Sequence, residues 1–385
     1  MRELRVTLET VTPLFLGGAD PRGAPELRPP AIRGALRYWL RAILGGIIGD
    51  NDSPTLHRLE STVFGSADEN AGSASAVVVR VTNERLSKPQ KYTRSKPPTG
   101  RDYLYWSMDK SGSPERGNYQ PPKQFYAPGG SFDLVLSVRP GIPDNGQVLY
   151  QVGAALYLLV NLGGLGSRSR RTAGSLAVTQ PQNTLGLNLV LSAKTSREAA
   201  QQIGAELTAI RQSFGLPNAV SIHSPSNFDI IHPAACKVWI LGIWPKSEVT
   251  VESIGAALRD FRTRREPDRN NVAKWLNGQR IPTVERAAFG LPIPYRYSDG
   301  GPSGTIQGTN VDRRASPLWL KVSQTTYGSY VGIATLFKSV FLPRDEGLRA
   351  KTRDRTPIIN PPDDYTLIEQ WITRSFPDNQ EVRYA

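Results

Sequence analysis

Arg33, Arg37 and Arg41 stand four residues apart in a segment where Ile32, Leu36, Trp39, Leu40 and Ile43 recur at helical spacing. At about 100° per residue the three arginines drift through only about 80° of a helix circumference. They form one basic stripe beside an apolar sector suited to burial against a sheet. Such a row suits a nucleic-acid backbone, because each guanidinium presents a planar fork of donors that grips two phosphate oxygens. A solvated helix face has the same pattern, so the stripe alone leaves both readings open.

A second cluster runs through Gly163, Gly164, Leu165, Gly166, Ser167, Arg168, Ser169, Arg170 and Arg171, with Gly174 just beyond. Glycines let a backbone approach a phosphate and present its N–H groups, while the arginines neutralise the charge. No Lys-Ser/Thr pair completes a Walker loop and the spacing fails G-x-G-x-x-G, so no nucleotide cofactor is expected. A third group falls between residues 84 and 130. There Lys91, Tyr92, Arg94, Lys96 and Arg101 are followed by Tyr103, Tyr105 and Trp106, interleaving cations with rings. The mixture suits single-stranded RNA, whose bases stack on rings while cations follow its backbone; a solvated loop has a similar composition.

Residues for proton transfer are sparse. Metal-independent RNA cleavage most often uses histidine as base and acid, and His57, His223 and His232 are the only three, none beside the glycine-rich loop in sequence. Asp50, Asp52 and the Asp363-Asp364 pair do not suggest a two-metal site. Cys236 is the single cysteine, which rules out an intramolecular disulfide and a Cys-based zinc site and fits a reducing cytoplasm. No metal and no catalytic residue is expected, with an endoribonuclease kept as the rival reading and a purely structural assembly subunit as the third.

The balance of 47 Lys+Arg against 34 Asp+Glu leaves a formal charge of +13, which favours a polyanionic partner. Arginine accounts for 35 of the basic residues and lysine for 12. A GC-rich genome would skew that ratio by itself, but not the net charge. The longest apolar run, Val148 to Leu162, is interrupted by Gln151 and falls short of the ~20 residues that span a bilayer. The N-terminus lacks a secretory apolar region. No membrane partner is expected.

The elements that must position these clusters follow from periodicity. Residues 3 to 11 alternate as a strand, and a helix enters through Pro29-Pro30 and runs to Gly45-Gly46, which should stop it. After the Phe64-Gly65 segment, a β-rich run from Ala76 to Val81 precedes the polar stretch of 84–130, read as an insertion. A strand at Phe132 to Val138, a helix at Val148 to Leu162 and a strand at Ser175 to Val178 complete β, α, β, β, α, β. A second unit reads as a strand near Leu185 to Leu191, a helix near Arg197 to Phe214 and a strand from Ala235 to Trp244. A helix near Ile254 to Arg264 and strands at Leu318 to Val322 and Tyr330 to Phe341 follow. The expected class is α+β, two ferredoxin-like (RRM-like, βαββαβ) domains in tandem with long loop insertions. The boundaries are 1–182 with its insertion at about 84–130, then 183–342, then a polar C-terminal extension at 343–385.

Several segments together resemble the RAMP superfamily of CRISPR RNA-binding proteins. They are Thr12-Pro13-Leu14-Phe15-Leu16-Gly17-Gly18, the run from Arg28-Pro29-Pro30 through Arg33-Gly34-Ala35-Leu36-Arg37-Tyr38-Trp39, Phe64-Gly65-Ser66, and the glycine- and arginine-rich loop. Within that superfamily the chain most resembles the first-subunit family of the Cmr (type III-B) RNA-targeting effector complexes. Phe289-Gly290-Leu291-Pro292 and Arg313-Arg314-Ala315-Ser316-Pro317-Leu318 support this in the second half. The resemblance implies two RAMP domains, assembly with other Cmr RAMP subunits around a CRISPR guide RNA, contact near the guide's 3′ portion and with target single-stranded RNA, and no polymerase chemistry. The 84–130 segment and the tail lie outside it.

Overall fold

Leu4, Val6 and Leu8 point inward and are almost fully buried while their neighbours face outward, so the opening segment forms a strand with one face on a core. The structure, a computed structural model, describes residues 3–67, 72–143, 146–216, 222–263, 265–295, 301–352 and 356–385. Its first half contains β1 (Glu3–Thr10), α1 (Pro29–Ile48), α2 (Ser53–Phe64), β2 (Val77–Arg85), β3 (Gln90–Lys91), α3 (Gly100–Leu104), β4 (Gln124–Phe125), β5 (Ser131–Val138), α4 (Gln147–Asn161) and β6 (Leu176–Gln182). The second half contains α5 (Ser196–Ser213), β7 (Cys236–Trp244), α6 (Ser247–Thr263), α7 (Asp268–Leu276), β8 (Ile293–Tyr295), β9 (Gly304–Gly308), β10 (Leu318–Gln324), β11 (Tyr330–Phe337), β12 (Leu348–Lys351), α8 (Thr366–Ser375) and β13 (Gln380–Glu381).

The first sheet has the order β2-β5-β1-β6, antiparallel throughout, with α1 and α4 packed on each other as its two connecting helices. That is the ferredoxin-like arrangement expected from the sequence. The second sheet repeats it as β10-β11-β7-β13, also antiparallel. Three of its strands, β7, β10 and β11, fall where the sequence reading put them; the expected first strand does not, and the fourth comes from elsewhere. Leu185 and Gly186 form a turn rather than starting a strand, the segment to Leu191 makes one bridge, from Leu191 to Thr325, and its alternate leucines 187, 189 and 191 pack into the core. The unit instead opens with β7 and closes with α8 and β13, so the polar tail read at 343–385 supplies two of its six elements. Leu367, Ile368, Trp371 and Ile372 form the buried face of α8, a helical spacing masked by the polar residues between them. The helix expected to reach Arg264 is α6; residue 264 itself lies outside the described residues.

Two further departures have steric causes. Gly45-Gly46 lies inside α1 rather than ending it, because a segment crosses the helix there. A Cβ on Gly46 would sit 2.0 Å from the Ile231 carbonyl oxygen, and one on Gly45 2.7 Å from the Ile230 side chain. The 84–130 insertion is folded onto both domains. Thr99 and Asp102 form a reciprocal cap on α3, and the Glu252 carboxylate on α6 accepts from the Gly100 and Arg101 N–H groups at 2.7 and 2.9 Å. Gly100 and Gly255 let the two helices meet backbone to backbone.

The domains also join edge to edge. Arg171 bridges Leu320 in parallel, Thr172 donates to the Leu320 carbonyl at 2.8 Å, and the buried Lys321 amine donates to the Leu176 carbonyl at 2.9 Å. The glycine-rich loop between α4 and β6 is thereby held against the second domain.

Candidate nucleic-acid interface

The stripe on α1 forms as expected, but two of its members already have a partner. Arg37 and Arg41 both donate to the Glu60 carboxylate on α2, Arg41 through Nη2 at 2.9 Å as well as through Nε. Glu60 is 1% exposed. Burial opposes its ionisation, yet the hydrogen bonds from Arg41 and Arg37 outweigh this and hold the carboxyl below its ordinary range. Arg33, one turn earlier, is exposed, and no described residue accepts from it.

The glycines of the 163–174 loop are used for close packing. A Cβ on Gly163 would strike the Trp39 indole at 2.6 Å, and one on Gly166 would reach the Phe15 carbonyl oxygen at 2.3 Å. Gly166 and Gly174 also have positive φ, +83° and +64°. Ser167 N–H donates to the Phe15 carbonyl and Gly174 N–H to the Pro13 carbonyl, at 2.8 and 2.9 Å. The loop is therefore tied to the Thr12–Leu16 segment, and it directs its arginines away from the first domain's core.

Those arginines enter a cavity of about 1260 Å³ between the loop, the insertion and the second domain. Eight arginines line it, with Tyr103, Trp106, Phe289 and Tyr295, and no Asp or Glu among the described residues does. Ser167 and Ser169 line it too. Arg170 forms part of the wall. Its guanidinium lies 4.6 Å from the Trp319 ring centroid, and it donates to the Ser316 carbonyl and, at 3.3 Å, to Asp229. Asp229 also accepts from the Tyr38 hydroxyl at 2.8 Å and from Ser339 at 2.9 Å, which connects α1 to the cavity through a residue beside the stripe. Arg171 donates to the Leu318 and Phe289 carbonyls at 3.1 and 3.2 Å.

Two of the remaining cations, Arg168 and Arg262, repel one another. Arg168 lies 5.4 Å from the Trp106 ring centroid, and Arg262, in the last turn of α6, lies 5.3 Å from Phe289. The Nε of each, like Nη2 of Arg286, is buried with no hydrogen-bond acceptor among the described residues. Burial, followed by repulsion from Arg262, lowers Arg171 to about 9 and Arg168 to about 10. Arg286 is held by the buried Asp268 carboxylate through its own Nε, but Arg168 and Arg262 have no carboxylate partner among the described residues, and buried donors without acceptors among like charges favour an anionic ligand that brings oxygen acceptors.

The insertion residues divide. Tyr92 is 3% exposed, inside a ring cluster with Phe15, Tyr105 and Phe125, and its hydroxyl donates to Asp102 at 2.7 Å. It cannot stack on a base, which corrects the expectation placed on it. Arg94 pairs with Asp109 at 2.8 Å, and Arg101 reaches Ser95 and Asp102 at 3.3 Å each. Lys91 and Lys96 are exposed. None of these five lines the cavity, nor does any of Arg33, Arg37 and Arg41. Sequence reading missed Arg262 and Arg286. The signal available for Arg262 was the arginine-rich end of α6, which looked like an ordinary charged connection.

Histidine does not enter the cavity: His57 is exposed on α2, His223 is exposed, and His232 accepts from the Ala234 N–H at 3.1 Å. Asp52 caps α2 through the Thr55 N–H, and Asp364 receives the Thr366 N–H. Among the described residues no group of three His, Cys, Asp or Glu could hold a metal ion, and no helix is long and apolar enough to cross a membrane.

The RAMP superfamily model matches residues 7–177. The Cmr subunit Cmr1-1 of the CRISPR system of Pyrococcus furiosus is 29% identical over 340 residues, 87% of this chain and 88% of that protein. Cmr1-2 of the same organism is 30% identical over 190 residues, 46% of this chain and 96% of that protein. The crystal structure of apo Cmr1 from P. furiosus superposes with a TM-score of 0.63 at 23% identity, covering 100% of this chain and 99% of that one. A chain in the cryo-EM structure of the type III-B Cmr-beta complex bound to cognate target RNA gives 0.52 at 13% identity, covering 97% and 98%. The fold is common to this chain and both structures. With the superfamily's motifs in the first domain and a Cmr1 protein matched over nearly its whole length, the chain belongs to the RAMP superfamily and, within it, to the family of the first subunit of CRISPR Cmr systems.

Proposed function

We propose that this protein is a non-catalytic RNA-binding subunit of a type III-B CRISPR effector ribonucleoprotein in antiviral defence. It binds guide RNA near its 3′ portion, target RNA, or both, in the arginine-lined cavity, and it assembles with other Cmr RAMP subunits in the cytoplasm. One observation carries the reading: eight arginines and four aromatic rings converge on a cavity with no lining carboxylate among the described residues. A small anion would need far fewer cations, whereas a ribonucleotide strand offers both phosphates for the guanidinium groups and bases for the rings. Among the described residues no histidine or carboxylate lines the cavity, which supports binding over cleavage.

Fluorescence anisotropy with single-stranded RNA across a salt series tests it. Arg168→Ala with Arg262→Ala should weaken binding about a hundredfold, from two lost charge-assisted contacts. It should also flatten the plot of log affinity against log salt by about 0.7 per lost phosphate contact. Unchanged affinity and slope in a folded double variant would sink the proposal. Specific cleavage of the same RNA in EDTA, abolished by His57→Ala or His223→Ala, would favour the endoribonuclease.

A further inference from the structure

Trp106 is 52% exposed, although Leu104, Tyr105 and Met108 around it are buried. A large indole held out beside buried neighbours needs a cause, because burying it would be favourable. It sits in a short turn (Trp106–Met108) fixed by Met108 N–H to the Tyr105 carbonyl at 2.8 Å and Lys123 N–H to the Met108 carbonyl at 2.7 Å. The ring is therefore displayed from a fixed backbone, and it lines the cavity. No described residue accepts from its indole N–H.

Arg168 is fixed as firmly. Its φ is +63°, a left-handed conformation uncommon for a side chain as long as arginine's. The Arg171 N–H closes the turn on the Arg168 carbonyl at 2.7 Å. The guanidinium thereby reaches the Trp106 ring at 5.4 Å, with its Nε buried and lacking an acceptor among the described residues. The insertion supplies the ring and the glycine-rich loop supplies the cation, so their meeting depends on how the insertion docks.

We propose that Trp106 is a stacking platform for one unpaired nucleobase at this cavity, with Arg168 placed both to steady the ring and to take the phosphate of that nucleotide. The proposal rests on the RNA-binding reading of the cavity and adds the ligand class, a single-stranded nucleotide with its base out of any helix. A duplex base has both faces covered by its neighbours and cannot use the platform. The phosphate brings the oxygen acceptors that the Nε of Arg168 and the Nε of Arg262 lack.

The test compares the full chain with Trp106→Ala and Trp106→Phe on short oligouridylate, on an abasic strand with the same number of phosphates, and on a duplex of the same length. Wild type should prefer oligouridylate to both other probes. Trp106→Ala should lose about tenfold on oligouridylate and nothing on the abasic strand, and Trp106→Phe should recover most of the loss. Equal loss on oligouridylate and the abasic strand would make Trp106 a support for the loop and overturn the proposal. No loss on either would overturn it as well, while leaving the cavity as an RNA site and the exposed indole free for a protein partner. Wild-type protein that binds none of the three probes would instead remove the RNA-binding reading itself.

Discussion

The arginines on α1 and those in the cavity have the same chemistry in the sequence and opposite surroundings in the structure. Arg37 and Arg41 converge on a carboxylate sealed beneath them, so that part of the stripe is an ion-paired joint between α1 and α2. Arg168 and Arg262 converge on the cavity and on each other's charge, with no acid lining it among the described residues. Spacing along a helix identifies cations that share a face. Whether they are spent or available depends on an acid 19 to 23 residues away in the first case, and on the absence of one, among the described residues, from the cavity wall in the second.

The most direct way to break this contrast is Glu60→Gln. The buried carboxylate disappears and two guanidinium groups lose their partner. Because both arginines keep some contact with water, the cost is put at ~2 kcal/mol, below that of a fully buried pair. Urea denaturation at neutral pH should show this loss, with RNA affinity within about twofold of wild type. The pH dependence follows in sign. The folded-state pKa of Glu60 lies below its unfolded value of about 4.3, so its contribution is complete above that value and vanishes as pH falls through the lower, folded one. Wild type and variant should therefore converge in acid. Weakened RNA binding by folded Glu60→Gln would mean that the stripe belongs to the binding surface after all.

Lys321 sharpens the contrast as a buried cation with neither an acid nor a cavity. It is 1% exposed, and its amine meets one carbonyl across the domain junction. Burial pushes its pKa well below the usual lysine value. Below the unfolded-state value of about 10.4 the unfolded chain binds this proton more readily than the native one, so stability rises with pH between the folded and unfolded values. Lys321→Met keeps the volume and removes the penalty. Its melting temperature should exceed wild type by a few degrees at neutral pH, with the gain shrinking toward pH 10. A lower melting temperature would show that the hydrogen bond to Leu176 outweighs the cost of desolvation.

The periodic elements of the first domain were legible because each pattern reports a local fact. Leu4, Val6 and Leu8 read as a strand, and the Ile32 to Ile43 spacing as a helix, whatever they later pack against. Gly45-Gly46 was misread because glycine ends a helix in one setting and admits a crossing chain in another, and only the Ile231 backbone distinguishes the two. The face of α8 was hidden because four apolar residues among Thr, Glu, Gln and Arg look like a polar tail until a sheet lacks its last helix and strand. The cavity was least legible. Trp106, Arg168 and Arg262 lie more than sixty residues apart and no local period links them, so the sequence showed the arginines without the ring and the opposing helix that make them a site.

Arg33 gives the smallest and finest test, since it belongs to the stripe by spacing but is exposed, with no partner among the described residues, like a binding residue. An exposed arginine outside the cavity can reach only a strand that continues past it, so its effect should grow with RNA length. With an oligonucleotide short enough to fill the cavity alone, Arg33→Ala should leave affinity unchanged. With a longer strand it should cost about twofold to threefold and reduce the salt slope by less than one contact's worth. Equal effects on both lengths would place Arg33 at the cavity mouth and bring α1 into the site. No effect at either length would leave the whole stripe as helix packing, and the arginines of the loop and of α6 would carry the RNA contacts.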